Sequence, residues 1–492
     1  MNKAVYAKLF IVLTALLSFF TFSENFFPLL NSDMAVNILM TPSFSLPHDI
    51  YFWGQDRSGN LIPMLAHGLY VLTGWQPVLL VSIIHYLLLA AGFWALCRFV
   101  KSPYGRMAMA LLWFFPPWHF IEFLLILYGI QVSCVLIALN FLDRSLQTTG
   151  RLKCLAWLSA ACIIFILATW VSDMALISAA ALFLMGALYF VSTRSNPARR
   201  ISWRGAGIPA MLILAWAITG YLLLHIAKSV STPVQGYNEG FLAAPSLMIR
   251  TLNTVLDSVY RVLVFSSESS IESIFAWGLV AGLLLLVFSK KPVGISWPKI
   301  SENPWFWFFF FEALITLAAV LSSRWVAAND AGRRYFTTFF ISACICLVIW
   351  LENLPKSRLK KILQFSFAVV IICGSLSGSW RFWYPDVKPS RIRVLSSLRS
   401  LGEIGIIAEY WNSYLSASPD PVKIKATPHD KDYVRNRELA LEVLHQPKLY
   451  IIKDGWLESF PDSIVQFGYL LKKKGPAFHI ADAWLNRYEV VR

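Results

Sequence analysis

The chain has 492 residues, of which 57% are hydrophobic and only 14% charged, and its mean hydropathy is +0.58. A soluble globular protein carries about 25% charge, so the polar cover for an aqueous surface is missing. Disordered, collagen-like and disulfide-framework classes fall on the same figures. A polytopic membrane protein remains. The formal charge of +15 suits it, because membrane proteins accumulate Lys and Arg on their cytoplasmic side.

A spanning helix needs about 20 mostly apolar residues. Eleven runs qualify as candidates: 4–22, 75–98, 105–118, 123–142, 154–171, 173–192, 207–227, 274–289, 304–323, 335–353 and 361–380. Glu24, Asn25 and Pro28 follow the first run in place of a small-residue cleavage site, so it reads as an uncleaved helix. The third is broken by Pro116 and Pro117. Cys97, Cys134, Cys154, Cys162, Cys344, Cys346 and Cys373 lie in or beside these runs and read as small core residues. With the N-terminus cytoplasmic, the inner loops hold nineteen Lys and Arg, including Arg199, Arg200, Lys290 and Lys291, and the outer loops hold seven. That asymmetry puts the N-terminus inside and the tail outside. Acids run the other way: Asp143, Glu302 and Glu352 inside, against an outer set that includes Glu24, Asp33, Asp56, Glu122, Glu239, Glu268 and Glu272.

Two outer loops are long. Residues 23–74 carry helical stretches from Met34 to Met40 and from Leu61 to Leu72, and residues 228–273 carry an amphipathic stretch from Leu247 to Val264. Composition shifts after Trp380. Beyond it, helix-period groups (Val394, Leu398, Leu401; Ala440, Val443, Leu444; Ile464, Phe467, Leu471) mix with β-rich runs at 404–408, 422–426 and 448–452 and a final pair near 477–491. The expected architecture is therefore an all-α polytopic membrane module, 1–380, followed by an extracytoplasmic α/β domain, 381–492, with a partly parallel sheet.

Several residues could carry chemistry. Asp33, just past the first span, is a candidate base for an acceptor hydroxyl or a metal ligand. The competing reading is that Ser32 or Asp33 caps the helix starting at Met34. The segment Tyr51 to Ala66, YFWGQDRSGNLIPMLA, sets aromatics and a Gly54–Gln55 turn beside Asp56 and Arg57. At Asn329 to Phe336, NDAGRRYF places Arg333, Arg334 and Tyr335 at the outer N-terminus of a span, where unpaired N–H groups already favour anions. Paired guanidiniums there suit a phosphate, and Arg324, read as closing the previous span, is a further cation. Interfacial anchoring by Arg and Tyr is the plainer alternative. Glu122, after the proline break, is a candidate second carboxylate or sugar hydrogen-bonder, with a solvated outer-turn acid as the plainer alternative. Glu312 falls inside a span, where acids are costly, with no partner visible in sequence. His85 reads as a satisfied core histidine.

The aspartate of SDMAVNILM, followed by WGQDRSGNL, resembles the first-loop signature of bacterial GT-C glycosyltransferases, akin to the protein mannosyltransferase and aminoarabinose transferase families. Ala35, Trp53, Gly54, Gln55, Gly59 and Leu61 match that pattern. Met34 stands in place of its second acid, and Asp56 and Arg57 replace apolar or aromatic positions. The resemblance is specific over residues 31–66 and weak in the tail. It implies an inverting transfer from a polyprenyl-phosphate-linked sugar to a glycan, lipid or protein acceptor at the outer face of the bacterial inner membrane. The resemblance carries the role of catalytic base to Asp33 only; on the reading of the residues above, Gln55, Asp56, Arg57, Glu122, Arg324, Arg333, Arg334 and Tyr335 would bind substrate. The missing second acid argues against a metal-binding pair, so no cofactor is firmly implied, while a divalent metal stays open. A lipid-linked sugar flippase or other transporter, an O-antigen polymerase or ligase, and a sensor whose tail binds a ligand are the rivals. Transport predicts charge inside several spans, whereas here the polar residues cluster outside them. No nucleic acid is implied.

Overall fold

The computed structural model describes residues 3–194, 203–231, 242–266, 270–288, 298–384 and 386–491. Of the charges counted above, Arg199, Arg200, Lys290, Lys291, Glu239 and Glu268 lie outside them. Among the described residues nine helices are long and apolar enough to cross a membrane: Lys3–Phe22, Pro77–Leu96, Leu127–Gln147, Arg151–Val171, Ala175–Ser192, Ile208–Ser229, Pro304–Ser322, Arg333–Asn353 and Arg358–Phe382. The expected span at 105–118 is a bent pair, Pro103–Phe114 and Trp118–Leu125, turned by 69°. Pro116 and Pro117 cannot donate to a helix ladder, and the break falls on them. The run at 274–289 falls on the helix Ser270–Phe288, the run's last residue lying outside the described residues, and the apolar stretch Ser270–Leu285 is shorter than the others.

The chain divides into two compact units. The first comprises Met1–Ser18, Leu88–Leu222 and Tyr237–Asp386. Its most enclosed span is Arg333–Asn353, with 89% of its apolar window buried. Membrane helices gain little from hydrophobicity against one another and associate through close packing. Gly278 and Gly374 allow it here: a Cβ would lie 2.3 Å from Val370 at the first and 2.5 Å from Phe275 at the second. Glu312 has the partners that sequence could not name. Ser178 Oγ donates to one of its oxygens and Ser342 Oγ to the other, at 2.6 Å for Ser342. Two acids assigned to inner loops are clasps. Glu352 accepts from Lys101 N–H, Ser102 N–H and Ser102 Oγ at 2.9, 2.8 and 2.6 Å, and Asp143 joins Arg98, Gln147 and the Trp305 indole.

The second unit comprises Phe19–Leu87, Leu223–Gly236 and Val387–Arg492. Residues 387–491 carry a six-stranded sheet: β1 Ile404–Ala408, β2 Ile424–Pro428, β3 Leu449–Lys453, β4 Ser463–Gln466, β5 Tyr469–Ile480 and β6 Ala483–Val490. Their order is β2-β1-β3-β6-β5-β4, parallel through the first three and antiparallel beyond. Gly405 lets the helix Arg437–Leu444 settle on β1, since a Cβ there would meet the Val443 carbonyl at 2.2 Å. Ile407, Val443, Leu449, Ile451, Leu471 and Tyr488 form the core.

One helical expectation fails. Ile464, Phe467 and Leu471 belong to the β4–β5 hairpin, not to a helix. Ile464 and Leu471 are cross-strand partners, and the turn between the strands places Phe467 and Gly468 at φ +51° and +84°. A seven-residue apolar spacing arises equally from two helical turns or from opposite sides of a tight hairpin.

Candidate active site

The segment after the first span builds the site in the second unit. Asn31, in extended backbone at φ −123° and ψ 174°, caps the helix Ser32–Ser43, its Oδ1 accepting from Met34 N–H at 3.1 Å. The capping alternative for Ser32 and Asp33 is thereby corrected. Ser32 Oγ donates instead to the Tyr410 carbonyl at 2.6 Å. Asp33 sits in the first turn, where the helix dipole favours a negative charge.

Two donors meet on one oxygen of that carboxylate. Arg435 Nη2 lies 2.9 Å from Asp33 Oδ1, and the Tyr410 hydroxyl donates to the same atom. Arg435 Nε donates to the Tyr410 hydroxyl oxygen, so the three residues close a triangle. The Arg435 side chain is only 8% exposed, whereas that of Asp33 is 26% exposed. Asp33 Oδ2 has no hydrogen bond among the described residues.

The guanidinium is caged by the rings of Tyr433, Phe52 and Tyr410 at 4.7, 4.9 and 5.2 Å. The Arg435 N–H donates to the Tyr414 hydroxyl at 2.9 Å, and Trp53 packs against the Tyr414 ring. Burial raises the pKa of Tyr410 well beyond the phenol range, and the neighbouring Asp33 charge adds to the rise. Tyr410 is therefore a hydroxyl donor at every physiological pH. Burial opposes the charge on Arg435, but Tyr410 and Asp33 outweigh it and hold its pKa above the ordinary value.

The expected turn at Gly54–Gln55 is present, with Gly54 at φ +72° and Phe52 N–H bonded to the Ser58 carbonyl at 2.8 Å. Trp53 donates its indole N–H to Asp49 at 3.0 Å, and Asn60 Nδ2 donates to the Asp49 carbonyl at 2.8 Å. Gln55 accepts from Ser58 Oγ at 3.0 Å, and Asp56 and Arg57 are half-buried on the same loop. His85 is a satisfied core histidine on one side only: its Nδ1 lies 2.6 Å from the buried Glu24, while Nε2 finds no partner.

The other candidates belong to the first unit. Arg333–Phe336 is a 3₁₀ turn leading into the helix Thr337–Asn353, preceded by Asp330 and Ala331 at φ +50° and +52°. Arg333 is exposed, and Arg334 is half-buried with its guanidinium over the Tyr335 ring. Tyr335, itself buried, receives the Trp325 indole N–H at 2.9 Å and Arg334 Nη2 at 3.3 Å. Glu122 and Tyr128 lie close enough to act electrostatically on Arg334, so the bend after the prolines brings Glu122 to the arginine turn. Arg324 opens a separate short helix, Arg324–Ala328, capped by Ser323, and does not close the preceding span. Sequence analysis missed the pair that His119 forms with Glu272, which accepts from both the ring and the backbone N–H of His119.

No family model matches the chain, and no curated protein matches it in sequence. Solved structures do. ArnT from Cupriavidus metallidurans, in a crystal structure bound to undecaprenyl phosphate, superposes with a TM-score of 0.58 at 10% identity, covering 98% of each chain. The archaeal oligosaccharyltransferase AglB from Archaeoglobus fulgidus is more distant, with a TM-score of 0.48 at 12% identity over 91% of this chain and 69% of its own. The chain shares its fold with that ArnT structure.

The donor set around Asp33 does not fit a metal. Its neighbours are a hydroxyl donor and a guanidinium, the next residue is Met34, and no group of three or more His, Cys, Asp or Glu gathers as a metal site among the described residues. Tyr410 and Arg435 are the residues that sequence analysis missed. Arg435 directly precedes the Asn436 cap of the helix Arg437–Leu444, and Tyr410 opens the helix after β1. A charged residue just outside a helix cap in a β-rich tail was the available signal, but nothing in the sequence tied it to Asp33.

Proposed function

We propose that the chain is an integral membrane glycosyltransferase. It transfers a sugar, with inversion at the anomeric carbon, from a polyprenyl-phosphate donor to a glycan, lipid or protein acceptor. The reaction lies at the extracytoplasmic face of the bacterial inner membrane, with the N-terminus cytoplasmic and the tail periplasmic, as the Lys and Arg asymmetry supports. The observation that carries this reading is the Asp33 carboxylate, whose Oδ2 has no hydrogen bond among the described residues, in a fold shared with a protein crystallised with undecaprenyl phosphate.

The acceptor hydroxyl attacks the anomeric carbon, the bond from that carbon to phosphate oxygen breaks, and the electron pair leaves with the lipid phosphate. The hydroxyl proton passes to Asp33 Oδ2. Arg333 and Arg334 hold the phosphate, with Tyr335 fixing Arg334, while Gln55, Asp56, Arg57 and Glu122 bind sugar and Arg324 adds positive charge. The test measures release of undecaprenyl phosphate from synthetic undecaprenyl-phosphate hexoses and pentoses in membranes holding the protein. Activity with at least one donor, lost in Asp33→Asn at equal protein level, supports the proposal. Full activity in Asp33→Asn removes Asp33 as base, and inactivity of the native chain with every donor removes the donor class.

A further inference from the structure

We infer that Tyr410 and Arg435, supplied by the tail, are positioning residues that hold Asp33 as the base, an inference that rests on the function proposed above. Both donors take Oδ1, and Oδ2 is left without a hydrogen bond among the described residues on a side chain that is partly exposed. A carboxylate that only clasped two parts of the fold would be expected to use both oxygens. Here a single oxygen takes the whole load, which fixes the carboxylate plane without consuming its proton-accepting atom.

The holding residues are themselves held. Arg435 is enclosed by Phe52, Tyr410 and Tyr433, and its Nη1 has no hydrogen-bond partner among those rings. Its backbone is tied to Tyr414. Tyr410 is pinned at both main-chain ends: its N–H donates to Asp432 at 2.7 Å, and its carbonyl accepts from Ser32, the residue before Asp33. Ser32 and Asp33 therefore meet the backbone and the hydroxyl of the same tyrosine. In the tail, Tyr410 follows the carboxyl end of β1, and Arg435 lies in the connection that follows the carboxyl end of β2. That is the rim where α/β sheets commonly place functional side chains. The aromatic residues of the first-loop signature acquire a physical role as well, with Phe52 walling the guanidinium and Trp53 packing on Tyr414.

The experiment measures kcat and donor KM in the full-length protein, with the same undecaprenyl-phosphate donors, for Tyr410→Phe, Arg435→Lys and the double variant. Tyr410→Phe keeps the ring in the cage and removes one O–H. Arg435→Lys keeps the charge but loses the fork that bonds Tyr410 and Asp33 together. The expected result is a kcat loss of about tenfold for the first and more for the second, with donor KM unchanged. The double variant should be no worse than Arg435→Lys alone, because both act through one carboxylate. Wild-type kcat in both single variants, with Asp33→Asn inactive, overturns the positioning role and leaves the base in place. A rise in kcat on freeing Asp33 also overturns it, since the tail would then be an inhibitory latch. Activity in Asp33→Asn overturns the underlying base assignment instead.

Discussion

Glu352 and Asp33 are both carboxylates that meet donors from distant parts of the sequence, yet they are bonded in opposite ways. Glu352 spends both oxygens, accepting two backbone N–H groups and a serine hydroxyl at the start of the helix Pro103–Phe114. Asp33 gathers a guanidinium and a phenol on one oxygen and keeps the other unbonded. Glu312 falls with Glu352, a serine on each oxygen. Residual acceptor capacity, more than burial or charge, separates a carboxylate available for chemistry from one that holds helices together.

The sharpest way to break this comparison is to neutralise each carboxylate while keeping its shape. Asp33→Asn is expected to lower the transfer rate by about 10² to 10⁴-fold, the range for a general base, while Glu352→Gln leaves the rate per folded molecule unchanged. Truncation separates them differently. Both variants leave the buried Arg435 without a counter-charge, but Asp33→Ala also removes the oxygen that accepts from Arg435 and Tyr410, so it should show the full loss of about 3–5 kcal/mol and fall below Asp33→Asn in thermal stability in detergent. Native stability in Asp33→Ala would show that the Arg435–Asp33 pair contributes nothing to the fold.

A pH experiment probes the support beneath Arg435. Burial pushes the Tyr414 hydroxyl up to about 12 from its ordinary value near 10. The folded state therefore retains a proton that the unfolded chain releases. The associated stability is complete below pH 10 and is lost as pH rises toward 12, amounting to about 2–3 kcal/mol. Stability measured at pH 9 and pH 11.5 should fall less in Tyr414→Phe than in the native chain. The smallest effect expected is Glu352→Gln, about 1 kcal/mol, because the amide retains one oxygen acceptor and solvent reaches part of the clasp. A large fall in its melting temperature would mean that the clasp carries a cooperative part of the bundle.

Much of this architecture was legible in sequence. Length and hydropathy alone located the spans, since lipid admits only helices or closed barrels. The prolines at 116–117 marked the bent span, and Gly54 marked the loop turn. Local chemistry also singled out Asp33. The hairpin at Ile464–Leu471 misled because apolar spacing is ambiguous between a helix and a tight turn. The capping assignment misled because Asn31, one or two residues earlier, meets the same N–H requirement.

What tertiary structure alone decided is the company each charged group keeps. Sequence determined that the chain crosses a membrane repeatedly, ends in an α/β tail and carries an acid after its first span, because these follow from composition and short-range periodicity. It did not determine that Tyr410 and Arg435, 377 and 402 residues further along, share Asp33 Oδ1. Nor did it reveal that Ser178 and Ser342 satisfy Glu312. Such pairings depend on which faces a folded chain buries together, and the cost of leaving a buried polar atom unsatisfied selects among them only once those faces have met.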